Sequence, residues 1–328
     1  MGAPDTVFVD YARSAGVASM VLGGMTVAER VLREAARAGA TRAIVRGDAL
    51  PPLPRLPLEV ERIPAAAEPP AGAVAIDGTV IAGVQISDAA TRRRATRALL
   101  QTCRRPHDGI GDRYVIRAIS LRITSVLCRL GARPNQVTYA NIAVGLAACA
   151  AAARGAFAAA GALILLQVVL DSSDGELARL RHLHSRFGML LDNASDDLID
   201  NLFIATLGVG LGGIWAPIGI AAAAARGAQS AMIHIVVARR GQPGDVLAFR
   251  WWFDREDDAL AERFEVKLTP GQVLRSIGRR DLYVLLWSAG CLAGVPIAAL
   301  GLGVILAAAQ LGLTLIHLTV TLRAGRAR

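Results

Sequence analysis

The hydrophobic pattern of this 328-residue chain changes character near residue 136. Upstream, apolar residues come in short runs separated by polar and turn-forming stretches. Val7 to Tyr11 and Ala43 to Gly47 read as strands, with a helical run from Thr26 to Ala38 between them. Thr26 is placed as N-cap, Glu29 completes a capping box, and Gly39 stops the helix. Pro51 to Pro57 reads as a loop. Leu58 to Ile63 and Ala73 to Ile76 read as further strands, Asp77-Gly78 as a hairpin turn, and Ser87 to Cys103 as a basic helix. Next, Ile116, Ile119, Ile123, Val126, Leu127 and Leu130 fall on one helical face, with Arg113, Arg117, Arg122 and Arg129 mostly on the others. That predicts an interfacial amphipathic helix, with a soluble helix against the N-terminal domain as the alternative. Downstream the apolar runs lengthen to 137–153, 157–176, 187–209, 214–238, 282–301 and 303–322, each near the ~20 residues that cross a bilayer. They are rich in Ala and Gly, which permits close helix packing. The expected fold is an all-α six-helix transmembrane bundle preceded by a small soluble α/β domain. The expected boundaries are 1–103, 104–136 and 137–328.

Composition supports a membrane protein: 53% of residues are hydrophobic and the mean hydropathy is +0.43. A net charge of +9 admits nucleic acid, anionic lipid or phosphorylated substrates as partners. Its distribution decides among them. Segment 104–136, the loops 177–186 and 239–281, and the tail with Arg323, Arg326 and Arg328 are rich in Arg. The opposite turns near Gly155, Gly212 and Gly301 carry only Arg154. This is the positive-inside pattern, so both termini are expected on the cytoplasmic side and no nucleic-acid function is needed. Trp251, Trp252 and Phe253 read as an interface anchor. Cys103, Cys128, Cys149 and Cys291 lack metal or redox spacing and read as free thiols. The N-terminus has no basic n-region or apolar h-region and does not read as a signal peptide.

The candidate chemistry lies between Asp171 and Asp196. Asp171 and Asp174 share one face at the end of one helix, and Asp192 and Asp196 share one face at the start of the next. A short basic link makes these helices antiparallel neighbours and brings four carboxylates together. Such a cluster resists ionisation unless cations compensate it. Hard divalent cations, Mg²⁺ or Mn²⁺, take oxygen ligands, and two of them suit phosphoryl chemistry. Gly175 and Ala178 leave room for a flat ligand, and Arg179 is placed to meet a phosphate.

The spacing Asp171-x-x-Asp174-Gly175-x-x-Ala178-Arg179, eight residues, Gly188-x-x-x-Asp192-x-x-x-Asp196 resembles the signature of CDP-alcohol phosphotransferases at all eight of its fixed positions. The run Arg104 to Thr124 followed by Arg133 to Thr138 resembles the entry to the membrane domain of bifunctional inositol-phosphate cytidylyltransferase/di-inositol-phosphate synthases. The resemblance implies transfer of a substituted phosphate from a CDP-linked donor to the hydroxyl of a polar alcohol acceptor, with release of CMP. It implies an integral, multi-pass protein with a cytoplasmic site, in contact with the lipid bilayer, and a homodimer. Asp171, Asp174, Asp192 and Asp196 are then metal ligands, and Asp196 is also the candidate base. Asp174, Gly175, Ala178, Arg179 and Gly188 surround CDP, with Gly188 permitting close approach of the two site helices. Arg279 and Arg280 are candidates for the acceptor's phosphate, although topology alone also accounts for them. The rival reading is an ion-coupled membrane transporter that uses intramembrane acids. A catalytically dead membrane anchor for the N-terminal domain is a third reading, and the intact motif argues against it. The run from Gly16 to Val45 resembles the start of a sugar-nucleotide nucleotidyltransferase, but Gly16 to Gly24 holds no Lys or Arg to cradle a triphosphate. The N-terminal domain is therefore expected to be a non-catalytic relic.

One further expectation concerns Arg226, in the middle of the fourth span. A lone Arg there costs ~2.5–3.5 kcal/mol on insertion scales and calls for a partner. Asp200 lies 14 residues beyond Arg186 (200 − 186) and Arg226 lies 14 before Arg240 (240 − 226), so the two are predicted to meet at equal depth. The alternative places Arg226 on an acceptor pocket.

Overall fold

A computed structural model describes residues 5–105, 108–239, 241, 249–252 and 277–326. They divide into two compact units. One comprises residues up to Arg104 with Ser125–Ala132 and Glu176–Leu183. The other comprises Arg105–Thr124, Arg133–Gly175 and the residues from His184 onward.

The first unit is built on a four-stranded sheet whose neighbouring strands are all parallel. The strands are β1 (Thr6–Asp10), β4 (Arg42–Arg46), β5 (Glu59–Ile63) and β6 (Val74–Ile76). Between β1 and β4 come α1 (Ala15–Ala18), the strands β2 (Val21–Leu22) and β3 (Met25–Thr26), and α2 (Val27–Arg37). The central strands carry consecutive buried residues, Val7 to Val9 and Ala43 to Val45, as parallel strands covered on both faces do. Val27, Ala28, Val31, Leu32 and Ala35 form the buried stripe of α2. Thr26 caps α2 as expected, accepting from Glu29 N at 3.2 Å. The other half of the capping box is replaced: Glu29 pairs with Arg33 one turn on, at 2.9 Å. Gly16 sits in α1, while Gly23 and Gly24, with φ +56° and +82°, turn the β2–β3 hairpin. The stretch from Gly16 to Gly24 is thus two separate elements and not one phosphate loop.

Asp77-Gly78 forms an Asx turn, with Asp77 Oδ1 accepting from Thr79 N at 2.8 Å. The hairpin itself turns five residues later, at Ala82-Gly83, where both φ are positive, as a type I′ turn needs. It joins β7 (Val80–Ile81) to β8 (Val84–Gln85). Asp88 then caps α3 (Ala89–Gln101) in a full capping box with Thr91.

The second unit holds a π-helical turn, Asp112–Ile116, that runs into α4 (Arg117–Arg129), whose end from Ser125 onward belongs to the first unit. The expected stripe is divided. Ile116 is buried, but Ile119, Val126 and Leu130 face outward with Tyr114 and Val115. The inward face is mixed: beside buried Leu121 and Cys128, Ser120 and Thr124 meet Ser173 through hydrogen bonds of 3.4 Å. Arg117 is also inside, making two bonds to Asp108 at 2.8 and 3.0 Å. Burial alone would raise the Asp108 pKa, but the Arg117 guanidinium and the Arg105 N–H together outweigh it and hold the carboxyl below its ordinary value.

The long helices are α5 (Pro134–Ala153), α6 (Phe157–Leu180), α7 (Arg186–Leu211), α8 (Trp215–Arg239), α9 (Arg280–Leu292) and α10 (Pro296–Arg326). Among the described residues, α5, α6, α8 and α10 are long and apolar enough to cross a membrane. Helix α7 has the length, but Asp192, Asp196, Asp197 and Asp200 break its apolar run. Helix α9 has 13 residues, about 20 Å at 1.5 Å per residue, less than a hydrocarbon core of about 30 Å. The expected break near Gly301 does not occur, since that residue lies within α10. The chain turns instead at Ala293-Gly294-Val295, where Gly294 has φ +74° and Pro296 opens the next helix. Outward positions are apolar, among them Leu166, Ile220, Ile235, Ile305 and Leu313. Ile164, Phe203, Leu207 and Trp287 fill the interior. Helices α7 and α8 cross where Gly208 faces Gly219; a Cβ on Gly208 would lie 2.4 Å from Trp215 O and 3.0 Å from Gly219 Cα.

Candidate active site

Asp171 and Asp174 lie on α6, and Asp192, Asp196 and Asp200 follow one another at single-turn spacing on α7. Ser185 starts α7 as its N-cap, accepting from Gly188 N at 2.9 Å. Carboxylate oxygens of Asp171, Asp192 and Asp196 all lie within 4.8 Å of one another. Asp174 stands apart from this trio. It is buried and accepts a 2.7 Å hydrogen bond from Thr138 of α5. Asn141, one turn further on α5, donates to Asp171 at 3.2 Å. Three of the four predicted carboxylates therefore converge, and the fourth is held at the edge.

A guanidinium sits among these acids. Arg280, at the start of α9, places Nη1 2.9 Å from both Asp171 Oδ2 and Asp196 Oδ2. Its Nε lies 3.4 Å from Asp200, and Nη2 donates to Gln167 at 3.2 Å. The adjacent Arg279 turns away to Asp281 at 3.1 Å. Asp281 also accepts from Asp112 N at 3.2 Å, with Gly109 and Gly111 packed so closely on it that a Cβ on either would clash. The two arginines proposed for one phosphate have different partners.

The predicted Asp200–Arg226 pair is present, at 3.0 Å and buried. Tyr283 of α9 donates to the same Asp200 oxygen, and its ring lies 4.8 Å from the Arg226 guanidinium. Gln310 of α10 accepts from Arg226 at 3.0 Å. Arg226 also lines a cavity of about 310 Å³. Asp196, Asp197, Asp200, His234 and Arg280 share that lining. Trp251 reaches the cavity wall too, stacked edge-on against Phe249 at 5.1 Å, while Phe253 lies outside the described residues.

The trio fits a divalent cation. Asp192 Oδ1 and Asp196 Oδ1 are buried and have no hydrogen-bond partner among the described residues. An all-oxygen set of three carboxylates is what a hard cation takes. Gly175 follows Asp174 on α6, and Ala178 and Arg179 lie on its last turns, in the portion that belongs to the N-terminal unit. A Cβ on Gly188 would meet Ser185 Oγ at 2.9 Å and Asn135 Oδ1 at 3.5 Å. It would meet no atom of α6 within 4 Å, so Gly188 makes room for its own cap and for α5 instead of a close α6–α7 approach.

Residues 132–315, more than half of the chain, match the CDP-alcohol phosphatidyltransferase family. The chain belongs to this family. Three curated relatives carry the description bifunctional IPC transferase and DIPP synthase. That of Thermococcus kodakarensis is 34% identical over 116 residues, 35% of this chain and 26% of the relative. That of Archaeoglobus fulgidus is 35% identical over 116 residues, 35% and 23% respectively. That of Aquifex aeolicus is 32% identical over 108 residues, 33% and 25%. The chain spans about a quarter of the length of these relatives.

Thr138, Asn141, Gln167 and Tyr283 were not predicted as site residues. Thr138 and Asn141 did leave a trace, as polar residues one turn apart near the start of a long, mostly apolar helix.

Proposed function

We propose that this chain is a membrane CDP-alcohol phosphotransferase that passes a substituted phosphate from a CDP-linked donor to a hydroxyl of a polar alcohol and releases CMP. The observation that carries the reading is the meeting of Asp171, Asp192 and Asp196 within 4.8 Å, in the family's own spacing. Mg²⁺ or Mn²⁺, two ions held by these residues and Asp174, would supply charge neutralisation and orientation for the donor diphosphate. By the family's spacing, Gly175 and Ala178 leave space around the donor and Arg179 steadies its diphosphate, while Gly188 serves the site only through the Ser185 cap of α7. Asp196 takes the proton from the acceptor hydroxyl: it faces the cavity and keeps one oxygen without a hydrogen-bond partner.

The same cavity suits the acceptor. Arg226, Arg280 and His234 line it beside acids and amides, a mixture that fits a polyhydroxyl compound bearing a phosphate, such as inositol phosphate or glycerol phosphate. Arg280 is then the acceptor-phosphate residue, and Arg279 positions α9 through Asp281. The donor is of the CDP-diacylglycerol or CDP-inositol type. We place the site and both termini on the cytoplasmic side from the distribution of arginines. Family membership and the converging acids favour transfer over ion-coupled transport.

The test is CMP release by the purified full-length protein, with CDP-diacylglycerol and CDP-inositol each paired with inositol phosphate and glycerol phosphate. One pair should react, chelator should abolish the reaction, and Mg²⁺ or Mn²⁺ should restore it. Asp171→Asn and Asp192→Asn should each remove nearly all turnover. Asp196→Asn should lose turnover far more than donor affinity. Full activity in chelator would refute the metal assignment, and equal loss of affinity and turnover at Asp196 would make it a ligand only.

A further inference from the structure

A second cleft, of about 480 Å³, lies within the N-terminal unit and shares no residue with the aspartate site. Helix α3 lines it with Arg92, Arg93 and Arg97, and the end of α4 adds Arg129. The Gly23-Gly24 turn and the apolar side chains of Val21, Leu100 and Leu180 also line it, with Thr96, Ser125 and Cys128. All four arginines are exposed, none forms an ion pair with a described acid, and the lining contains no carboxylate. Four guanidinium groups that repel one another around a cavity form a site of positive potential in search of an anion.

Gly23 and Gly24 form a tight turn of positive φ at the cleft wall, packed on Arg30 and Leu180 on one side and on Arg181 on the other. Behind it stands Arg30, 1% exposed, whose guanidinium donates to Leu22 O at 3.1 Å while its Nε is buried without a hydrogen-bond partner. Its charge adds to the field from beneath. The cation missing from the Gly16–Gly24 stretch of sequence is thus supplied in space by α3, α4 and α2.

We infer that this cleft binds a phosphate-bearing anion, held directly by arginine forks around the Gly23-Gly24 turn and without a metal. Planar guanidinium groups match phosphate oxygens two at a time. The apolar part of the lining accommodates the organic remainder. The phosphate is either that of a soluble compound or that of an anionic phospholipid headgroup, and one set of measurements separates the sources.

The full-length protein is assayed in chelator, which removes metal-dependent binding at the aspartates. One arm measures equilibrium binding of labelled inorganic pyrophosphate. The other measures capture of neutral phosphatidylcholine nanodisc-embedded protein by vesicles containing phosphatidylglycerol, against vesicles of phosphatidylcholine alone. The Arg92→Gln/Arg97→Gln double variant should weaken one arm about tenfold, and Arg92→Lys/Arg97→Lys should recover part of it. Arg129→Gln, on a separate helix, repeats the test independently should the first variant fold poorly. Loss confined to pyrophosphate assigns a soluble phosphate, and loss confined to the vesicles assigns a headgroup. Absence of binding in both arms, or binding unchanged in both glutamine variants, overturns the inference.

Discussion

Replacing Arg226 by glutamine removes a buried cation from a carboxylate that is itself 1% exposed. Stripping one partner from a buried ion pair costs about 3–5 kcal/mol, because the remaining charge stays desolvated. The surroundings of Asp200 place this case at the lower end. Arg280 Nε remains 3.4 Å away, and the Tyr283 hydroxyl still donates to the same oxygen. The expected loss is about 3 kcal/mol, roughly 150-fold in the folded-to-unfolded ratio. Asp200→Asn leaves Arg226 with Gln310 at 3.0 Å and the Tyr283 ring at 4.8 Å, so its loss should be smaller, about 2 kcal/mol. In the double variant two neutral amides face each other and neither charge is stranded. Its loss should be about 3 kcal/mol instead of the sum of about 5, a coupling of about 2 kcal/mol. The assay is reversible unfolding of the purified protein in mixed detergent micelles, read by tryptophan fluorescence for parent, single and double variants. Losses that add to within about 0.5 kcal/mol would show that the two residues act separately and would refute the pairing argument.

Gly208→Ala should destabilise by about 1–3 kcal/mol through overpacking against Trp215 O and Gly219, whereas Gly301→Ala, with nothing within 4 Å of the new methyl group, should be neutral or stabilising by about 0.5–1 kcal/mol; melting midpoints of the two variants check both, and a destabilising Gly301→Ala would contradict a continuous α10. Burial, only partly opposed by Arg117 and reinforced by Asp281 and Asp108, pushes the Asp112 pKa up to about 6. The folded state then holds this proton more tightly than the unfolded chain, so the contribution of Asp112 is full below the ordinary carboxylate range and is lost as pH rises through about 6. Asp112→Asn should therefore gain stability relative to the parent between pH 4 and about 6.5, and a constant difference across that range would exclude the shift. The full-length chain should form no CDP-alcohol from CTP and an alcohol phosphate, since the arginine cleft lacks the carboxylates that would hold a metal; detectable product would restore a catalytic role to the N-terminal unit.

Local physics determined much of this protein from its sequence alone. Helical spacing put Asp171 beside Asp174 and Asp192 beside Asp196, and the short link between their helices made the acids meet. Counting residues from two basic helix ends placed Asp200 level with Arg226, because rise per residue is constant along a helix. Strand runs, the Thr26 cap and the parallel βαβ opening were legible for the same reason. Tertiary packing decided the remainder. The hydrogen bond that Asp174 accepts comes from Thr138, more than 30 residues upstream, and the cation among the acids comes from Arg280, more than 100 residues downstream of Asp171. Hydropathy averaged over a window hid the Gly294–Pro296 turn, which two residues set by their backbone geometry. The arginine cleft was out of reach of any local pattern: α3 read as a basic helix and α4 as an interfacial amphipathic one. Only their packing around the Gly23-Gly24 turn gathers the charges into one field.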